Sequence, residues 1–201
     1  MRLSIIAVVI VMTLAPARAR ADGILEVGGA LTFPIADDNW KNTVEPSPEL
    51  AIRAGAGSEV MAGLVSLSWI PEQLDAQQNF VDVSAQRFRL LGNLALGHRI
   101  APKLSVGARI GVGTDITHGS YSFMVAGTTT SKSDTDFGFA LDLAARIMYD
   151  LGSTQLGFEL AVPIGYHSKK AANLGDISFD YTQTDLELWF VVRFGSQSSA
   201  D

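Results

Sequence analysis

No cysteine occurs anywhere in the 201 residues, which excludes a disulfide framework, a thiolate metal site and a cysteine nucleophile at once. Long apolar runs are also missing. Past the first 14 residues no stretch reaches the 18 or more apolar residues of a spanning helix. Histidine is limited to three positions, and no metal cluster, phosphate loop, nucleotide fingerprint or pair of catalytic carboxylates can be read, so no cofactor is expected. Basic residues are few, 15 against 21 acidic ones. Without a basic patch, nucleic acid is not an expected partner.

The start of the chain reads as an export signal. Arg2 precedes an apolar run from Leu3 to Leu14, and Ala19-Arg20-Ala21 offers a small-x-small cleavage site before Asp22, with cleavage after Ala17 as the alternative. Losing residues 1–21 removes three arginines and no acid, leaving 12 basic residues against 21 acidic ones, a formal charge of −9.

What is present in abundance is alternation. From Phe137 to Tyr149 every odd position is apolar, while Gly138, Ala140, Asp142, Ala144 and Arg146 fill the even ones. After a break at residues 150–154 the pattern restarts, with Leu156, Phe158, Leu160, Val162, Ile164 and Tyr166 against Gln155, Gly157, Glu159, Ala161 and Gly165. Period-two alternation on this scale means two long β-strands joined by a short turn. Similar segments occur at residues 24–33, 49–56, 60–70, 84–99, 103–113 and 185–194, giving eight strands in all. The connections alternate long and short, the long ones at 34–48, 71–83, 114–134 and 167–178. The expected fold is therefore all-β, an eight-stranded antiparallel up-and-down transmembrane β-barrel with loops at one end and turns at the other.

A soluble lipocalin-like barrel that binds a small ligand also alternates, with its apolar face inside. The minor face decides against it. That face is dominated by Gly and Ala (Gly107, Gly111, Gly113, Gly138, Ala140, Ala144, Gly157, Ala161, Gly165), which suits a narrow interior, and the apolar face ends in aromatics such as Phe33, Trp69, Phe88, Tyr149 and Phe194. The charges on the minor face nearly balance: Arg53, Arg87, Arg89, Arg109, Arg146 and Arg193 against Glu26, Asp142, Glu159, Asp185 and Glu187. Unpaired charge in so narrow a lumen is costly, so these groups are expected to form a salt-bridged network filling the barrel.

The export signal, the eight alternating strands, the turns at one end and the aromatic-ended last strand resemble the small bacterial outer-membrane β-barrel family of OmpA/OmpX/OmpW-like proteins, over essentially all of residues 22–194. The resemblance implies a bacterial outer-membrane address, outer-membrane lipid as surroundings, a monomer, and a structural or loop-mediated interaction role. It further implies that the end of the last strand, with Trp189, Phe190 and Phe194, is read by the barrel-assembly machinery, ahead of a short tail at 195–201.

Two features invite more chemistry. His118-Gly119-Ser120 places an imidazole and a hydroxyl on one strand face, a base and a nucleophile for an enzyme modifying lipid A. Barrel lipid A deacylases resemble this with a His-x-Ser-Asn run, where Tyr121 stands here for the Asn, and the downstream acids are Asp134 and Asp136. Lys169 and Lys170 lie in the last long loop, where anionic lipopolysaccharide is a potential ligand. Of the other histidines, His98 is expected at the turn end and His167 as the solvated start of a loop.

Overall fold

A computed structural model describes residues 22–36, 44–73, 80–125, 128–171 and 177–195. The expected signal at 1–21 and the tail at 196–201 lie outside the described residues. Eight strands follow in order: β1 Asp22–Ala36, β2 Ser47–Gly57, β3 Met61–Gln73, β4 Phe80–Ala101, β5 Leu104–Val125, β6 Thr128–Asp150, β7 Thr154–Ala171 and β8 Ile177–Gly195. Each pairs antiparallel with its sequence neighbour, and β8 closes on β1, so the sheet is a closed barrel with no strand out of order.

The apolar parity faces outward. Leu143, Ile147, Phe158, Leu160, Ile110, Leu50, Ile52 and Leu188 are all exposed, while Ala140, Ala144, Ala161, Ala62 and Val191 are buried. Phe158 and Phe190 meet edge to face on the outside at 5.4 Å. In water such a belt would be an unsustainable apolar surface. In a bilayer it is the required one, and ring closure pairs the backbone groups that lipid cannot hydrogen-bond. The soluble ligand-binding barrel is thereby corrected, because its apolar lining would have to lie inside.

The turns are tight where the sequence asks for it. Ser58 donates its backbone N–H to Met61 O at 2.8 Å. In the β6–β7 turn Gly152 sits at φ +100° with its N–H bonded to Asp150 Oδ1 at 2.7 Å, a backbone region glycine alone enters freely.

The loop end departs from expectation. Residues 114–134, expected as the longest loop, are almost entirely strand: β5 and β6 stay in register from Leu104↔Tyr149 up to Val125↔Thr128. The Thr- and Ser-rich composition that suggested a loop also has high strand propensity once a neighbouring strand pairs with it. Strand β4 follows from Phe80, so β4, β5 and β6 rise together as a three-stranded sheet. The β6–β7 pairing begins only at Gly138↔His167; Asp136 is still held at the barrel's rim by Tyr181, and the part of β6 beyond it, residues 128–135 or roughly 25 Å of strand, pairs with β5 alone.

Candidate functional site

Strand parity turns the sequence-predicted charges into the lumen, and the register stacks them. Near the turn end, Glu26 on β1 accepts from three arginines: Arg53 Nη1 at 3.2 Å, Arg146 Nη2 at 2.9 Å and Arg193 Nη2 at 2.6 Å. Glu159 on β7 is the second hub, at 2.9 Å from Arg53, 3.2 Å from Arg109 and 3.3 Å from Arg146. Arg109 also reaches Asp142 at 2.6 Å and donates to Asn93 Oδ1 at 2.8 Å. Asp142 and Glu159 are thus bridged by one guanidinium, which is the use of a salt bridge and not of a proton-sharing acid pair. Contacts from β2 to β7 and from β1 to β6 run across the barrel, so the lumen is spanned and not merely lined. Trp189, also buried, stacks beneath the Arg53 guanidinium at 4.9 Å.

Toward the loop end, Arg89 is held by Glu49 at 2.9 Å and by Glu187, whose other oxygen accepts from Trp189 Nε1 at 2.8 Å. One step further, Arg87 pairs with Asp185 and with Glu72 at 3.2 Å, and donates to Gln183 Oε1 at 3.0 Å. Four acids outside the set expected from the sequence, Glu49, Glu72, Asp115 and Asp136, are also buried there. Parity was the available signal. Asp115 continues the inward positions of Gly111 and Gly113, and Asp136 those of Gly138 and Ala140.

These additions unbalance the lumen along its axis. Among the described residues, the turn-end network sets Arg53, Arg109, Arg146 and Arg193 against three acids, Glu26, Asp142 and Glu159. Among the residues whose side chains are described, the loop-end half sets Arg87 and Arg89 against Glu49, Glu72, Asp115, Asp136, Asp185 and Glu187.

His167 is corrected outright. It lies inside β7 and is fully buried, its ring stacked on Tyr181 at 4.8 Å between centroids and 5° between planes. Tyr181 donates its hydroxyl to Asp136 Oδ2 at 2.5 Å. The Ser-Lys-Lys sequence after His167 suggested a loop, but β7 continues to Ala171.

His118 and Ser120 stand on the outer face of the protruding sheet, both exposed. They are not brought together. His118 Nδ1 is 2.8 Å from Thr135 Oγ1, while Ser120 Oγ is 2.9 Å from Ser84 Oγ. Thr135 is the register partner of His118, so by alternation Asp134 and Asp136 lie on the opposite face of β6 and neither completes an acid–base–nucleophile row. Instead the two carboxylates cap the strand's edge: Asp134 Oδ1 accepts from the N–H of Thr135 and Asp136 Oδ1 from that of Phe137. Phe190 and Phe194 face outward, opposite in direction to Trp189.

No protein-family profile matches the chain, and no curated protein is similar to it in sequence. Among solved structures it is similar to a major outer membrane protein from Thermus thermophilus, with 12% identity, 89% of this chain and 100% of that one covered, and a TM-score of 0.58. It is also similar to Neisserial surface protein A, with 10% identity, 86% and 96% coverage, and a TM-score of 0.52. The chain therefore has the fold of the small outer-membrane β-barrels.

Proposed function

We propose that this chain is a non-conducting outer-membrane anchor, exported by a signal cleaved before Asp22, whose filled barrel holds the β4–β6 sheet above the membrane as its interaction surface. The observation that carries this reading is the lumen. Arg53, Arg109 and Arg146 converge on Glu159 across the barrel, so an ion path would require separating several buried ion pairs at once. A transporting or porin-like role asks for the opposite, a wet and open interior. The projecting sheet supplies the surface. Rows such as Ser84, Ser120 and Ser133, or Gln86, His118 and Thr135, lie side by side across its three strands. The Asp caps and Lys132 protect part of its edge against indiscriminate strand pairing, as soluble sheets do. Export, the outer-membrane address and recognition of Phe190 and Phe194 by the assembly machinery belong to the same reading.

Two experiments test it. In planar bilayers the folded protein should give no stepwise conductance, and stable single-channel steps would overturn the filled-lumen reading. Trypsin applied to intact cells should cut at Lys132, exposed on the sheet, and spare Lys103, exposed at the turn end. Cleavage at Lys103 with Lys132 protected would reverse the orientation.

A further inference from the structure

The turn-end network holds one more arginine than it has acids, and its surplus donors sit on Arg146. Nη2 of that residue serves Glu26 at 2.9 Å and Glu159 at 3.3 Å, and also donates to Met148 Sδ at 3.2 Å. Nε and Nη1 of the same guanidinium, on a side chain only 3% exposed, find no hydrogen-bond acceptor among the described residues. Arginine cannot shed its proton to escape this. Buried donors left so cost free energy until an acceptor reaches them.

Arg146 lines a recess at the turn end of the lumen, and Met148, Arg193, Ser105, Ser58 and Glu59 share its wall. Arg193 holds Glu26 through Nε at 2.8 Å and Nη2 at 2.6 Å, while its Nη1 has only a 3.5 Å contact with Gln155 Oε1. Glu59 is the one carboxylate on the wall, and Arg99 already engages it at 2.6 Å. The room inside is about 10 Å³, space for one particle of the size of a water molecule. Two guanidinium groups, a hydroxyl and no unengaged carboxylate around so small a space select for an anion that is itself small.

We propose that the turn end of the lumen binds one small monovalent anion of the halide class, held by Nε and Nη1 of Arg146 with Arg193 and Ser105 beside it. A neutral water would accept from the same donors but leave the fourth arginine of the network without a counter-charge. The anion supplies both the acceptor and the charge, and the burial of the site makes the charge the larger gain.

Past residue 21 the chain has three methionines, Met61, Met124 and Met148, and the last of them lines the recess. Protein labelled with ¹³C at the methionine methyls is folded in detergent micelles in gluconate and titrated with chloride at constant ionic strength, the Met148 signal being assigned with Met148→Leu. The expected result is a saturating shift of the Met148 methyl, with Met61, exposed on the outside, unmoved. Arg146→Lys keeps a positive charge for Glu26 and Glu159 but lacks the two spare donors, and should raise the chloride needed at least tenfold. No shift at Met148, or one that grows without saturating, overturns the proposal and leaves the recess to water. A response to formate with none to chloride overturns it as well, because the site would then take a carboxylate. Should Arg146→Lys fail to give a heat-modifiable folded band, the wild-type titration decides alone.

Discussion

Replacing Glu159 with leucine should destabilise the barrel by about 3–5 kcal/mol, the cost of leaving buried charge uncompensated. Glu159 is buried and touches Arg53, Arg109 and Arg146, none of which can shed its proton to escape the loss. Arg53 and Arg146 keep Glu26, and Arg109 keeps Asp142, but three acids holding four arginines become two holding four. Urea unfolding in phospholipid vesicles, followed by tryptophan fluorescence, measures the change. Glu59→Leu is the control. Glu59 pairs with Arg99 in the open at the turn end, at 2.6 Å, and its removal should leave the midpoint unmoved. Equal effects at the two positions would mean that the lumen is wet enough to screen its ion pairs.

Leu143→Arg should cost about 2–4 kcal/mol, and the same change at Tyr149 only about 0–1 kcal/mol. Leu143 stands midway along the outward face of β6, between Phe137 and Tyr149, and is flanked by Ile110 and Val162 on the neighbouring strands. A guanidinium there must either enter the hydrocarbon or bend toward a headgroup it barely reaches. At Tyr149 the interface is adjacent. The depth dependence is the informative part, because a soluble barrel would show no difference between an exposed leucine and an exposed tyrosine. Unfolding midpoints in vesicles read both variants.

The sequence carried the barrel unusually far because strand parity is a long-range label: one register fixes the direction of every side chain on a strand. The belt segments of β5 to β8, residues 104–113, 137–149, 155–166 and 185–194, are legible residue by residue, and even β3, where Leu64 and Ile70 share the inward face with Ser66 and Ser68, follows the alternation once paired. Composition is the misleading signal where it disagrees with parity. Thr, Ser and Gly between Thr114 and Asp134 resemble a loop, yet the described residues there form the tallest part of the sheet, and Asp115 and Asp136 lie one step beyond the alternating segments 103–113 and 137–149. The polar residues after His167 mask its inward position on β7 in the same way. Nor does any local pattern reveal which arginine meets which acid across the lumen. Arg53 and Glu159 are 106 residues apart, and only closure of β8 on β1 sets them face to face.

The protruding sheet adds little to the stability of the closed, lipid-embedded barrel below it. Barrel stability rests on the lumen and the belt, whereas β4–β6 above Asp136 contributes mainly its own pairing. Substitutions at His118 or Ser120 should accordingly leave the unfolding midpoint unchanged.

The most direct test of the outward apolar belt uses the absence of native cysteine. Single cysteines placed along β6 from Ala140 to Ile147, labelled with a fluorophore, are read in vesicles of brominated lipid. Quenching should be strong at Leu141, Leu143, Ala145 and Ile147 and weak at Ala140, Asp142, Ala144 and Arg146. The opposite parity, or quenching without any period of two, would contradict a barrel that faces lipid with its apolar side and encloses its charges.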